Sequence, residues 1–371
     1  MLFLKDAIAF GRDEPVDLLH RTRCTPLVLG RTQEGRMSLC GLTPRPSIAR
    51  LYAPGKISTV CVHPSLPLLA LIERGSRKLR LLSFDGSTAF EISAPPLREG
   101  SPEWMRGGYD HCLFDDSGRY LWCAARVSTD QVEVQLRETD GWSVVSRTLV
   151  DDPFGPSSAG ASSAMLLPTA EPGTLSLWFA DGQGGACVHW VARDGVRVSC
   201  SPEPSLCDTT PPEFSPGGRE FLVIDLYGAV RRFSYPVVEQ FGICESPFGD
   251  DEPFRFSLCY LDNARALAVS LNGRIAVLDT PTMRVVNELT IEGHEPRPAE
   301  EYYPNLAGDR NLCTDIGDVT RLGDYLIFGH AAAPPQGSAP CRKLNMEDQD
   351  DADTQGMLCF PISYILDRYA A

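Results

Sequence analysis

The chain has 371 residues, 43% apolar and 22% charged, which is the composition of a folded globular protein and excludes a disordered one. A formal net charge of −15 argues against nucleic-acid backbones or anionic membrane surfaces as the main partner, since both require a basic footprint. No window approaches the roughly 20 consecutive apolar residues of a membrane span.

The first candidate element is "LFLKDAIAF", Leu2 to Phe10, a strand-like run that Lys5 and Asp6 interrupt, so it does not read as a secretory signal. The 13 cysteines lie in apolar runs such as "STVCV" and "MLCFPI" with no CxxC spacing, the pattern of buried free thiols in a reducing compartment. The expected location is the cytoplasm.

From there the chain reads as one repeated phrase. An apolar residue precedes a polar turn, an apolar run follows, a second Gly, Asn or Asp turn comes next, and an alternating strand closes the unit. The copies are "LLHRTRCTPLVLGRTQEGRMSLCGL" from Leu18, "VHPSLPLLALIERGSRKLRLLSFDG" from Val62, "LFDDSGRYLWCAARVSTDQVEVQL" from Leu113 and "MLLPTAEPGTLSLWFADGQGGACVHWV" from Met165. "EFSPGGREFLVIDLYGAVRRF" from Glu213, "YLDNARALAVSLNGRIAVLDT" from Tyr260 and "DVTRLGDYLIFGHAAA" from Asp318 complete the series. Units starting near 19, 62, 114, 166, 214, 260 and 318 are spaced by roughly the 40 to 50 residues of propeller blades. Helical periodicity is nearly absent, and the 30 prolines and 32 glycines sit mostly between apolar runs, where no ladder hydrogen bonds are needed.

"FSPGGREFLVIDLYGAVRRF" and "LNGRIAVLD" resemble the WD-repeat β-propellers, in which a blade carries a Gly turn, an alternating strand and a terminal Trp-Asp. Phe233 and Ser234 stand at the Trp and Asp positions, Leu278 replaces the Trp before Asp279, and no unit keeps the family's Gly-His pair in register. The resemblance implies an all-β fold: one domain over 1–371, a seven-bladed propeller of four-stranded antiparallel blades. Propellers close by completing one blade from both termini, so Leu2 to Phe10 is expected to supply the outer strand of the last blade. "DVTRL", "YLIFGH" and "MLCFPIS" form the rest of that blade, before a short tail.

Antiparallel connectivity sends the links between units, and the turn between second and third strands, to one face. These links are long, among them "PPLREGSPEWMRGGYD", "VDDPFGPSSAGASSA", "CESPFGDDEPFR" and "EGHEPRPAEEYYPNLAGDRNLC", and the 26-residue insert Ala331 to Gly356 joins them. Turns on the other face, such as "DDSG", "PGG" and "DNA", are short. One-sided elaboration points to a working surface. Its acidic residues are Asp151, Asp152, Asp250, Asp251, Glu252, Glu300, Glu301, Asp348, Asp350, Asp351 and Asp353, and its aromatic ones Trp104, Phe154, Phe248, Phe254, Tyr302 and Tyr303. Aromatic anchors ringed by charge suit a protein interface. Trp104, Phe154, Phe248, Asp250, Asp251, Glu252, Glu300, Glu301, Tyr302 and Tyr303 are the candidate partner-binding residues.

Chemistry is harder to find. His111 and Cys112 are strand neighbours that point to opposite sides, so they form no dyad. Cys187 and His189 could be half a zinc site, yet no second pair stands at ligand spacing, and a core Cys with a hydrogen-bonded His is the expectation. In "MEDQDDADTQG", Ala352 falls where an EF-hand needs a ligand. With no G-x-S-x-G elbow, P-loop, Rossmann fingerprint or HExxH, no catalytic residue, metal or cofactor is assigned. The expected function is a non-catalytic interaction platform or regulatory, scaffold-type subunit binding a protein partner, such as a basic segment or a regulated enzyme, with no nucleic acid or membrane. The alternative is an axial-site small-molecule enzyme of lactonase or hydrolase type.

Overall fold

The structure is a computed structural model and describes residues 1–2, 8–10, 18–20, 27–31, 36–41, 47–52, 57–73, 76–103, 105, 107–152, 163–169, 171–180, 186–195, 197–200, 205–206, 210–225, 227–249, 256–270, 274–292, 316–331 and 355–370. Among these residues the strands form antiparallel sheets that follow one another along the chain. The first contains β2 (Leu18–His20), β3 (Leu27–Arg31), β4 (Arg36–Gly41) and β5 (Ser47–Tyr52). The second has β6 (Ile57–Val62), β7 (Leu68–Glu73), β8 (Leu79–Ser83) and β9 (Thr88–Ile92); the third has β10 (Gly108–Phe114), β11 (Tyr120–Ser128), β12 (Gln131–Glu138) and β13 (Val144–Asp151).

The fourth, β14 (Ser163–Pro168), β15 (Thr174–Ala180), β16 (Ala186–Asp194) and β17 (Arg197–Cys200), gains a fifth strand, β18 (Ser205–Leu206), beside β16. The fifth holds β19 (Glu213–Phe214), β20 (Glu220–Ile224), β21 (Val230–Ser234) and β22 (Gln240–Cys244); the sixth holds β23 (Phe256–Tyr260), β24 (Arg265–Ser270), β25 (Ile275–Asp279) and β26 (Arg284–Leu289). The seventh is built from both ends of the chain. Its order is β1 (Ile8–Phe10), β29 (Gln355–Pro361), β28 (Tyr325–Ala331) and β27 (Ile316–Leu322), with Ile8 opposite Cys359 and Phe10 opposite Met357.

Middle strands are apolar on both faces because each sheet is covered twice. β11 and β24 are buried almost end to end, whereas outer strands alternate, as β26 does with Arg284, Val286 and Glu288 exposed. Among the described residues the core is consequently a series of clusters, one at each seam between consecutive sheets from the second to the seventh. Cys61, Ile72 and Leu81 pack on Tyr109, Cys112 and Leu121; Trp122 and Val134 on Leu166 and Leu177; Val188 and Trp190 on Phe214 and Phe221; Leu222 and Val230 on Tyr260 and Ala266. Phe233, at the Trp position of the resemblance, is buried and stacks on Phe221 with ring centroids 5.4 Å apart.

The last cluster joins Leu267 and Val277 to Val319, Phe328 and Phe360, and it contains two features the sequence reading lacked. One is α1 (Ile362–Ala370), expected only as a tail: Ile362 and Ile365 recur at helical spacing and are buried, and Ile362 N–H donates to Asp324 O at 2.8 Å. The other is Leu2, fully buried in a parallel bridge to Ile291, with Leu2 N–H donating to Thr290 O at 2.6 Å and Glu292 N–H to Leu2 O at 2.8 Å. The N-terminal segment therefore holds the sixth sheet at Leu2 and the seventh at β1.

Candidate functional site

Strand order separates two edges of the sheets. On one edge lie the tight turns from first to second strand and from third to outer strand; on the other lie the turns from second to third strand and the links to the next sheet. The tight turns are ties between neighbours. The buried His63 ring of the second sheet hydrogen-bonds through Nε2–H to Gly118 O of the third at 2.9 Å, while Nδ1 accepts from Ser65 N (3.1 Å) and Leu66 N (2.9 Å). Arg193 of the fourth sheet lies 3.6 Å from Asp115 of the third, and Trp190 Nε1–H donates to Pro236 O of the fifth at 2.9 Å. Asn263 of the sixth accepts from Gly217 N of the fifth at 2.6 Å, and Arg321 of the seventh donates to Leu261 O of the sixth at 2.9 Å.

The opposite edge carries the long links. Across its floor, at the third sheet, runs a chain of alternating charge: Arg77 pairs with Asp110, Asp110 faces Arg126 Nε at 3.7 Å, and Arg126 Nη2 reaches Asp152 at 2.9 Å. The Arg126 and Asp152 side chains are fully buried, and Arg126 also donates to Thr129 O at 3.1 Å. Burial, followed by the nearby Arg126 guanidinium, lowers the pKa of Arg77 to about 10, which still leaves Arg77 charged at neutral pH. The described stretch 93–103 is tied to this floor by Arg98, which donates through its backbone to Val127 O at 2.8 Å and through its guanidinium to Gln131.

On the fifth sheet the turn after β20 presents Tyr227, 78% exposed. Asp225 fixes it by accepting from Tyr227 N and Ala229 N, both at 2.9 Å, and from Arg231 Nε at 2.7 Å. The sequence does carry a signal for this side chain: Asp225 three residues before Gly228 is turn chemistry. An arginine inside the apolar run "LWCAARVS" was likewise a sign of a buried charge needing a partner.

Of the residues read from sequence as partner-binding, Trp104, Phe154, Asp250, Asp251, Glu252, Glu300, Glu301, Tyr302 and Tyr303 lie outside the described residues, as do Phe254, Asp348, Asp350, Asp351 and Asp353. Phe248 is described and is not an exposed anchor. It is buried against Tyr260, Leu278 and their neighbours, and Arg274 sits 5.3 Å from its ring centroid while donating to its carbonyl at 2.7 Å. Asp152 is likewise withdrawn from the surface by Arg126, whereas Asp151 is exposed and accepts from Gln131 at 2.8 Å.

Among the described residues no group of three or more His, Cys, Asp or Glu could hold a metal ion. Cys187 and His189 do share a face of β16, where His189 packs edge-on against Phe179 with centroids 5.6 Å apart. Cys61, Cys112, Cys123, Cys187, Cys244, Cys259 and Cys359 are buried and form no disulfide; Cys61 and Cys112 bring their sulfurs to 3.8 Å. Burial raises the Cys112 thiol and pushes Cys123 up to about 12, so neither is a ready nucleophile. No described helix is long and apolar enough to cross a membrane.

No family model matches the sequence, and no curated protein matches it. Solved structures do. The chain is similar to the β-propeller domain of Cps50 (Swd1) from Myceliophteria thermophila, with a TM-score of 0.54 over 95% of this chain and 98% of that one, at 12% sequence identity. Identity that low carries the fold and nothing finer, so sheets stacked pairwise on apolar clusters and a propeller neighbour together identify the chain as a β-propeller.

Proposed function

We propose that the protein is a non-catalytic interaction platform: one domain of seven blades, closed into a ring by β1, that takes a protein partner on its link-bearing face. The unit starts near 19, 62, 114, 166, 214, 260 and 318 are the blade starts of this reading. The position of β2 beside β27 and the pairing of β1 with β29 support the closure. The observation that carries the functional reading is the asymmetry of the connections. Tight turns such as 115–119, 215–219 and 261–264 are locked to a neighbouring sheet, while the links after β9, β13, β22 and β26 and the 332–354 segment all leave from the other edge. A rigid disc with variable loops on one face is suited to recognition.

The partner surface comprises Trp104, Phe154, Asp250, Asp251, Glu252, Glu300, Glu301, Tyr302 and Tyr303, with the described Tyr227 as an exposed aromatic among them. An acidic, aromatic face fits a basic segment of a partner protein. Affinity capture with mass spectrometry tests it. The triple reversal Asp250→Lys, Asp251→Lys and Glu252→Lys, combined with Tyr302→Ala and Tyr303→Ala, is expected to lose the partner that wild type retains. An unchanged set of captured proteins would remove this face from consideration.

A further inference from the structure

Three cysteines converge where the second and third sheets meet. Cys61 on β6 and Cys112 on β10 bring their Sγ atoms to 3.8 Å across the seam, and Cys123 stands opposite Cys112 on β11 in the same apolar cluster. β6 and β10 are the first strands of their sheets and run close together: two residues before each cysteine, Thr59 Oγ1 donates to Asp110 O at 3.3 Å. The sulfur contact is thus set by converging strands, and closing it to an S–S bond of about 2.05 Å takes a movement of roughly 2 Å. β10 and β11 are already joined by their ladder, whereas a link from Cys61 to Cys112 spans 51 residues and joins two sheets. Asp110, two residues from Cys112, pairs with Arg77 and faces Arg126, so the seam in question is the one that the charged chain of the link-bearing edge crosses.

We propose that Cys61 and Cys112 are a dithiol that a peroxide converts to a disulfide, locking the second sheet to the third. Cys112 is the protonated partner, because burial pushes its pKa up and its S–H lies 3.9 Å from Ala70 O. Cys61 therefore reacts first. Its sulfur attacks one peroxide oxygen, the S–O bond forms as the O–O bond breaks, and the departing oxygen takes up the Cys61 proton and leaves as water. The Cys112 sulfur then attacks Cys61 Sγ, the S–S bond forms as the S–O bond breaks, and the released hydroxide takes the Cys112 proton as a second water. Two thiols are oxidised and one hydrogen peroxide is reduced. Both residues are buried, so the peroxide reaches them when the seam opens locally, and the rate of linking follows that opening.

The test incubates the full folded chain with millimolar hydrogen peroxide, caps the remaining thiols with N-ethylmaleimide and digests without reduction. Trypsin places the three cysteines on separate peptides, 57–74, 107–119 and 120–126, so mass spectrometry reads the partner of each directly. Peptide 57–74 should be joined to 107–119, in wild type and in Cys123→Ala alike, and dithiothreitol should release it. The linked chain should unfold about 5 °C above the reduced one, as expected when a crosslink closes a long loop of the unfolded chain. Persistence of both thiols, joining of 107–119 to 120–126 in place of 57–74, sulfinic acid at Cys61 with no link, or a linked chain no more stable than the reduced one would each overturn the assignment.

Discussion

His63 shows how much one side chain can tie together. Neutral, it donates from Nε2 to Gly118 and accepts two backbone N–H groups at Nδ1; a proton on Nδ1 would end both accepted bonds. Burial is the main reason its pKa lies below 6.5. A depressed folded value means that the stabilisation is complete above the unfolded pKa of 6.5 and is lost as pH falls through the folded one. The stability gap between wild type and His63→Gln, measured by urea denaturation, should therefore shrink from pH 8 to pH 5; a constant gap would contradict this. On the other side of the contact, Gly118 has φ +70° and a Cβ there would lie 2.5 Å from His63 Cε1. Gly118→Ala should cost about 2–4 kcal/mol, strain and overpacking together. Arg126 is a harsher case, because removing it takes a fully buried guanidinium away from the buried Asp152 carboxylate. Arg126→Met should cost about 3–5 kcal/mol in the same measurement.

At the scale of elements, four sheets share a device that no residue type announces. The outer strand bulges where Ala89, Val145, Phe241 and Val286 are skipped in the pairing. Two residues before the resumed pairing stand Gly86, Trp142, Val238 and Met283, all with φ between +52° and +83°. Only one of the four is glycine, so the turn rules that located Gly118 and Gly218 were blind to the other three. The packing of the third-to-outer turn on its neighbours holds them there, as Met283 does beside Gly242. The N-terminal strand is the opposite case. Its apolar content and the demand for closure pointed to the last sheet, and it pairs there, yet the docking of Leu2 on Ile291 depends on a cluster assembled from residues far apart in sequence. Leu2→Ala should destabilise by about 2–5 kcal/mol, read as a lowered urea midpoint.

For the whole molecule, stability resides in seams between sheets, so no single core can compensate for a missing one. Deleting residues 1–10 removes β1 and the Leu2 anchor together, and should convert the unfolding transition to a lower and broader one in calorimetry; a truncated chain that melts like wild type would refute closure by this segment. Net charge acts at the same scale. At −15, a partner held by charge should be captured less well as salt rises from 50 to 300 mM, because exposed charges are screened within about 10 Å at 0.1 M.

The repeat period, the strand grammar and the all-β class were present in the sequence, because alternation and turn chemistry are local properties that each unit must satisfy alone. The acidic excess and the one-sided distribution of long links followed from the same reading. Only the tertiary structure decided which polar residues are spent on holding the sheets together. Asp152 and Phe248 looked like surface residues and are buried, and the apolar periodicity of Ile362 and Ile365 became a helix once Leu2 and the sixth sheet offered them a surface. Burial and pairing are set by neighbours that the chain brings together from tens to hundreds of residues away, and local sequence pattern carries no record of that distance.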